Sequence, residues 1–596
     1  MPEPLIQIER EKLAVNILNV ILGITSLTAI VIIILIFGFY LNEEQLKNLT
    51  FLIKTTTIIF VLQEVVRFFL DFKKEIENKD KRILERILAV LLLIHLILQE
   101  NALNFLISIF PTINIVDITF TYLGITQLII IISYLVDFFR DNNIVSRIKI
   151  HPGVITAISF ATVILIGSLL LYMPKSTPIN NPISYTDALF TATSAVSITG
   201  LTTVNIADNF TQTGQVIILI LIQIGGIGVM TLSSFLAAIF LGGISFRMTV
   251  MLKDILSGDS LSEVSSTLKR ISLFTLIFEI CGVICLYFSL GSNFFEFDYR
   301  NLGIAIFHSI SAFCNSGFST FHNSMMDPAI QQNYPFLFTL MILIFFGGIG
   351  YVACSNMFGY LIYKKNRMNY SLQKLTISTR LIFIVSFVLV IGGGLLIFIT
   401  EPYSSEDWMG TFDKFFHSFF MVISARTAGF SSIYIDKINH LTYLTMMILM
   451  WIGGSPSSTG GGIKTTTVGV LFLHFINYLK GNDNLHFRHS RIEPQSIQKA
   501  QMVLFSTLIV TIVAFIALVY LEPKKDFLAL LFETISAIST TGMSLSLTTT
   551  LSNAAKYVII ILMYVGRVGV LTFFFAFFVQ RNNPAYDYPD ERVIIG

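Results

Sequence analysis

The sequence predicts an all-α polytopic membrane protein whose larger part is a fourfold internal repeat, and three observations carry that reading. Charged residues are only 13% of the 596, about half the usual soluble share of roughly 25%. Apolar runs of about 20 residues, the length that crosses a hydrocarbon core of about 30 Å, recur from end to end. From about Ile150 onward a Gly-centred polar signature returns four times, each time between two long apolar segments.

The balance of charge, +2, argues against a nucleic-acid partner. The four cysteines (Cys281, Cys285, Cys314, Cys354) lie in apolar surroundings without a metal-type CxxC. Cys281 and Cys285 share a helix face and read as packing residues. The first apolar run, Leu13 to about Tyr40, follows the leader PEPLIQIEREK. It is too long for a signal peptide and lacks a small-residue cleavage site, so it reads as a retained helix.

Residues 1–145 form an N-terminal block with hydrophobic segments near 13–40, 49–70, 84–109 and 116–138. The bend DFKKEIENKDKRILER between the second and third is dense in Lys and Arg, which places it and both ends of the block in the cytoplasm. The later basic loops, RDNNIVSRIKIHPG, Arg247–Arg270, YKKNRMNYSLQKLTISTR and KGNDNLHFRHSRIE, fall on the same side. NEEQLKN, KSTPINNPISYTD, EPYSSEDWMGTFDK and LEPKKD fall on the other. A multi-pass protein with cytoplasmic termini results.

The repeats occupy 150–245, 270–365, 380–480 and 498–582, with a tail at 583–596. Their signatures are SAVSITGLTT, SAFCNSGFST, SARTAGFSSI and SAISTTGMSL; the central glycines Gly200, Gly317, Gly429 and Gly542 stand 117, 112 and 113 residues apart. The following segments carry matched glycines: QIGGIGV, FFGGIGY, WIGGSPS and YVGRVGV. Two aligned motifs at a near-constant period define a repeat architecture.

Each signature is preceded by a semi-polar stretch, near 186–196, 302–313, 412–424 and 527–538, too short and polar to span. Irregular backbone at membrane depth is tolerated where it is buried in protein or lines a watery cavity. A re-entrant hairpin satisfies this: a short helix descends and an extended segment returns. Four hairpins around one axis present backbone carbonyls that can replace the hydration shell of a small cation. Short-helix C-termini add partial negative charge. The candidate filter is Ile198, Thr199 and Gly200; Asn315, Ser316 and Gly317; Thr427, Ala428 and Gly429; Thr540, Thr541 and Gly542. None of these is a carboxylate, which suits a weakly hydrated monovalent ion better than Ca²⁺.

In the third repeat WIGGSPSSTGGGIKTTT interrupts the second helix, where the other three repeats are expected to continue as helix. Pro456 lacks an amide donor and each glycine costs about 1 kcal/mol of helix propensity. The break fits a water-filled cavity below the filter. Arg567 interrupts YVGRVGV where the first two repeats carry Gly or Ile, and an ionisable residue at that depth is a functional candidate. Arg426, in the third signature, reads as structural and paired with Glu533. His308 and His417 read as packed and hydrogen-bonded; Glu279 has no assigned role.

SITGLTT, CNSGFST, RTAGFSS and STTGMS, together with the GGIG helices, resemble the Trk/Ktr/HKT superfamily of potassium transporters over about 150–596. The resemblance implies four M1–P–M2 units, eight spans and four pore hairpins, around one pore, here preceded by about four extra helices. It implies a homodimer with one pore per subunit, in the bacterial inner membrane, docked to a cytosolic nucleotide-binding regulatory ring. No cofactor is expected in this chain; K⁺ is the transported ion at the filter residues, and any nucleotide sits on the partner. The implied gate is an intramembrane loop with Ser457, Ser458, Thr459, Gly460, Gly461, Gly462 and Lys464, opposed by Arg567, which bonds loop carbonyls. Glycine at all four central positions goes with K⁺ in this superfamily, and Ser at the first with Na⁺. The alternative is a Na⁺ or Na⁺/K⁺ translocating member, or a cation-coupled carrier. A carrier with inverted repeats fits less well, because these repeats run parallel. An enzyme fits less well still: HExxH, GxSxG and paired intramembrane aspartates are missing from the sequence.

Overall fold

Long apolar helices with little protein around them make up the scaffold. The computed structural model describes residues 3–72, 152–228, 264–291, 298–366, 375–401, 410–482, 485–488 and 490–577. Among these, five helices are long and apolar enough to cross a membrane, six if one bent pair counts as a span, and they are only 22–33% buried. Ile399 is 78% exposed and Leu169 and Ile509 are also open. Such surface requires lipid as its solvent.

Helices α1 (Glu3–Gly38) and α2 (Glu43–Phe72) form an antiparallel hairpin. Leu18, Leu22, Thr25, Ala29, Ile32 and Ile36 are buried on α1, and Leu49, Ile53, Thr56, Phe60 and Gln63 on α2. Alternating steps of four and three residues make a heptad seam. α1 takes in part of the polar leader. The expected segments at 84–109 and 116–138, and the tail at 583–596, lie outside the described residues.

The rest follows the chain. First come α3 (Pro152–Leu171), α4 (Tyr185–Ser197) and α5 (Gln212–Ile227). Next are α6 (Val264–Ser289), α7 (Tyr299–Phe313), α8 (Tyr334–Ile349) and α9 (Tyr351–Asn366). Then α10 (Ile377–Thr400), α11 (Thr411–Ala425), α12 (His440–Trp451) and α13 (Thr465–Leu479). Last are α14 (Pro494–Leu521), α15 (Phe527–Ile538), α16 (Asn553–Val568) and α17 (Val570–Phe577). A two-residue hairpin, His486–Phe487 with Ser490–Arg491, sits between α13 and α14.

The short helices α4, α7, α11 and α15 start where a side chain satisfies a free amide. Ser184 Oγ accepts from the Asp187 amide at 3.2 Å, Asp298 from Arg300 at 2.8 Å, and Asp526 from Ala529 at 3.0 Å. Before α11, Asp413 accepts from the Gly410 amide at 2.8 Å. These caps fix the entry of each helix.

Two expectations need correction. The second long helix is interrupted in more than the third repeat: α5, α8 and α16 end at Gly228, Gly350 and Gly569, with φ of 86°, 81° and 91°. Such φ terminates a helix and favours glycine; α8 and α9 meet at 96°. Among the described residues, helix resumes directly after Gly350 and Gly569, whereas the third repeat makes a longer excursion from Trp451 to Thr465. Cys281 and Cys285 are exposed on α6, not packed in the core, whereas Cys314 and Cys354 are buried.

The cores lie between repeats. One joins α3–α5 to Phe307, Phe318 and Val568. Another joins α14–α16 to Phe190 and Leu201, and the largest spans α6–α8 and α10–α12 and reaches Phe532.

Candidate functional site

Each short helix ends in the same way. Ile198, Asn315, Thr427 and Thr540, two residues before the central glycines, have φ of 57°, 58°, 70° and 51°. The glycines themselves have φ of 88°, 70°, 85° and 90°, with a residue of ordinary φ between. Alternating handedness turns successive carbonyls toward one side, where a strand would alternate them. The glycines are required on a second count. A Cβ on Gly200 would collide with the Ser316 carbonyl oxygen, on Gly317 with that of Ala428, on Gly429 with that of Thr541, and on Gly542 with that of Thr199. Each contact runs from one repeat to the next and the fourth returns to the first. The twelve predicted filter residues thus come together as a closed ring at the C-termini of four helices, whose dipole ends are negative.

Side chains from the short helices brace the ring. Ser194 Oγ accepts from the Gly200 amide at 3.0 Å and Ser536 Oγ from Gly542 at 3.1 Å. Ser311 donates to the Phe318 carbonyl at 2.7 Å and Ser424 to that of Phe430 at 2.6 Å. Behind them His308 bonds Ser319 at 3.0 Å, His417 bonds Ser432 at 3.0 Å, and Glu533 accepts from Ser544 at 2.6 Å. The serines were missed in the sequence. The signal was present, since each signature opens on Ser-Ala.

Against the ring lies the loop between α12 and α13. Its neck is closed by the Gly453 amide on Ile463 O at 2.9 Å and the Ile463 amide on Trp451 O at 3.3 Å. Gly460 and Gly461 press so closely that a Cβ on either would overlap the Thr427 or Thr540 hydroxyl. The Ser455 and Thr459 amides bond Gly348 O at 2.9 Å and Gly347 O at 3.3 Å, on α8. Ser457 is left-handed at φ 58°, and Ser458 Oγ donates to Ser455 O at 2.7 Å. Gly462, at φ 68°, turns the chain back to the neck. Lys464 Nζ donates to Gly460 O at 2.6 Å, within the loop.

Arg567 stands where α5, α8 and the loop carry Gly226, Gly348 and Gly454. Its Nη1 donates to Thr459 O at 2.5 Å, and its Nη2 donates to the Gly225 carbonyl of α5. The expectation of several loop carbonyls is corrected: one bond reaches the loop, the other clamps it to the first repeat. The Arg426–Glu533 pair is also corrected. Arg426 turns away and donates to Ser386 at 3.2 Å, while Glu533 is taken by Ser544 and Thr548. Glu279 is buried in α6 and accepts from Gln223 at 3.2 Å. Among the described residues there is no group of three or more His, Cys, Asp or Glu able to hold a metal.

The chain matches the model of the TrkH family, described as cation transport protein, over residues 123–586. It belongs to that family. It is 34% identical to the potassium/sodium uptake protein NtpJ of Enterococcus hirae, over 76% of this chain and 98% of that one. It is 33% identical to the Ktr system potassium uptake protein B of Bacillus subtilis, over 77% and 99%. Among solved structures, the potassium transporter TrkH of Vibrio parahaemolyticus aligns with TM-score 0.60 over 83% of this chain and 98% of that one. At 19% identity that likeness speaks for the fold. TrkH-family membership covers both the glycine ring and the loop beneath it.

Proposed function

We propose that this chain takes up potassium through a pore on the axis of the glycine ring, where backbone carbonyls take the place of the ion's water. The observation that carries the reading is the closed succession of glycine–carbonyl contacts from one repeat to the next. A ring of dipoles without a carboxylate favours a monovalent ion with a loosely held shell. Relatives at 33–34% identity bear potassium uptake in their names. The architecture we assign is four M1–P–M2 units behind an N-terminal block, in the plasma membrane with cytoplasmic termini.

The loop at 453–464 is the gate, stiffened from within by Lys464 and held beneath the ring by Arg567 and the α8 carbonyls. Two chains make a homodimer with one pore each, and a cytosolic nucleotide-binding ring bears on the loop from below. The name of the Enterococcus relative favours a second reading, uptake of both K⁺ and Na⁺. Purified protein in liposomes under imposed K⁺ or Na⁺ gradients decides. Flux of K⁺ well above Na⁺ is expected; equal permeation turns the assignment to the second reading, and no ion flux with or without the ring overturns both.

A further inference from the structure

Glu279 is a carboxyl 7% exposed in the middle of a spanning helix, where a charge is costly and needs a use. Its Oε2 accepts from Gln223 Nε2 at 3.2 Å. The Cys314 thiol points to Gln223 Oε1 at 3.8 Å and to Glu279 Oε1 at 4.0 Å. Gln223 stands two residues before Gly225, where the other repeats carry Phe345, Trp451 and Tyr564. Only the first repeat puts an amide there, and only there does a buried acid meet it.

These contacts close a circuit. Glu279 holds Gln223; Gln223 belongs to the last turn of α5, whose Gly225 carbonyl accepts from Arg567. Arg567 binds Thr459 O, and the Thr459 hydroxyl binds Phe313 O at 3.3 Å. Next to Phe313 is Cys314, whose thiol returns to Glu279. Ser309 fixes the acid's own helix by donating to Glu279 O at 2.7 Å. A Cβ on Gly226 would strike the Cys314 sulfur, so α5 and the end of α7 can approach this closely only with glycine there.

We infer that Glu279 is a positioning residue for the latch: through Gln223 it sets the Gly225 carbonyl that holds Arg567, and thereby the loop. The inference rests on reading Arg567 and the loop as the gate for its effect on flux, but not for its effect on the loop itself. A hydrogen-bonded circuit of this kind loses more than one contact when one member goes.

The experiment uses full-length protein carrying Glu279→Ala, Glu279→Gln, Gln223→Phe or Arg567→Ala. Two readouts are taken: hydrogen–deuterium exchange over 453–464 in detergent, and K⁺ flux in liposomes. Glu279→Ala and Gln223→Phe should each speed exchange of the loop about tenfold, the scale of one lost hydrogen bond. Glu279→Gln, which still accepts from Gln223, should stay within twofold of the parent. Flux should rise with Glu279→Ala, and Glu279→Ala combined with Arg567→Ala should be no faster than Arg567→Ala alone. Gln223→Phe guards against loss of folding in Glu279→Ala, since it installs a ring of the kind the other repeats use. Unchanged loop exchange in both variants overturns the inference, whatever Arg567→Ala does to flux. So does equal loosening by Glu279→Gln and Glu279→Ala, which would mark a general packing role. If Arg567→Ala leaves flux unchanged while the exchange results hold, the gate reading falls and the positioning role stands.

Discussion

Gly200 shows what a single residue does here. Its φ of 88° and the Ser316 carbonyl against its Cα leave no room for a side chain. Serine at this position must push the neighbouring wall of the ring outward, because its Cβ would fall on the Ser316 carbonyl oxygen. A change in relative ion binding of about 1.4 kcal/mol alters preference about tenfold. We therefore expect Gly200→Ser to cut the K⁺/Na⁺ permeability ratio by roughly that factor, with K⁺ flux retained. Measured reversal potentials that match the parent's would remove Gly200 from the selective ring. The four glycines were legible in the sequence because they recur at one period, and a period survives any uncertainty about side chains. Arg426 was misread for the opposite reason. Aligned signatures place its Cα, yet the direction of a long side chain depends on neighbours such as Ser386, which lies 40 residues upstream.

Among the elements, the short helices could be read from their length and polarity, and the loop from its proline and glycines. The breaks at Gly228, Gly350 and Gly569 could not, because a glycine beside other glycines reads equally well as helix packing. What the sequence conveyed least was how the loop is held. Lys464 and the neck bonds stiffen it from within, so Arg567 has only to clamp it at one carbonyl and brace on α5. A bond from a charged donor contributes about 1.5–3 kcal/mol net. Losing the one on Thr459 should shift a closed–open balance about ten- to hundredfold. Arg567→Ala, or a loop shortened over Ser457–Gly462, should conduct K⁺ faster and depend less on the cytosolic partner. Since neither touches the ring carbonyls, ion preference should persist. A folded variant that conducts at the parent rate would show that the loop is not the barrier.

For the whole molecule, four repeats in one chain can surround an axis only if the last one closes on the first. The period made that closure legible, but not the contacts that make it, which join residues hundreds of positions apart. Lys556 on α16 pairs with Asp187 on α4 at 2.7 Å, and Tyr557 lies 3.5 Å from Thr186 beside it. The opposite seam uses Tyr334 on α8, which donates to Asp413 on α11 at 2.5 Å. Both acids sit in the first turn of a short helix, where negative charge is favoured. Partial burial pushes the Asp187 carboxyl up, but hydrogen bonds from Lys556 and Ser184 outweigh it and leave it below 3.8. A folded value below the unfolded one means the pair stabilises fully at neutral pH and stops doing so as pH falls through the folded value. The two side chains are only 11% and 15% exposed, so removing one partner leaves the other charge largely buried, a loss of up to about 3–5 kcal/mol for a fully buried pair. In detergent, Lys556→Met should melt earlier than the parent at pH 7, and the difference should shrink as pH falls below about 4. Asp187→Asn should melt early without that convergence being steeper than the parent's own acid loss. A gap between Lys556→Met and the parent that stays constant from pH 7 to about pH 3 would mean the seam is closed by packing, with the ion pair incidental.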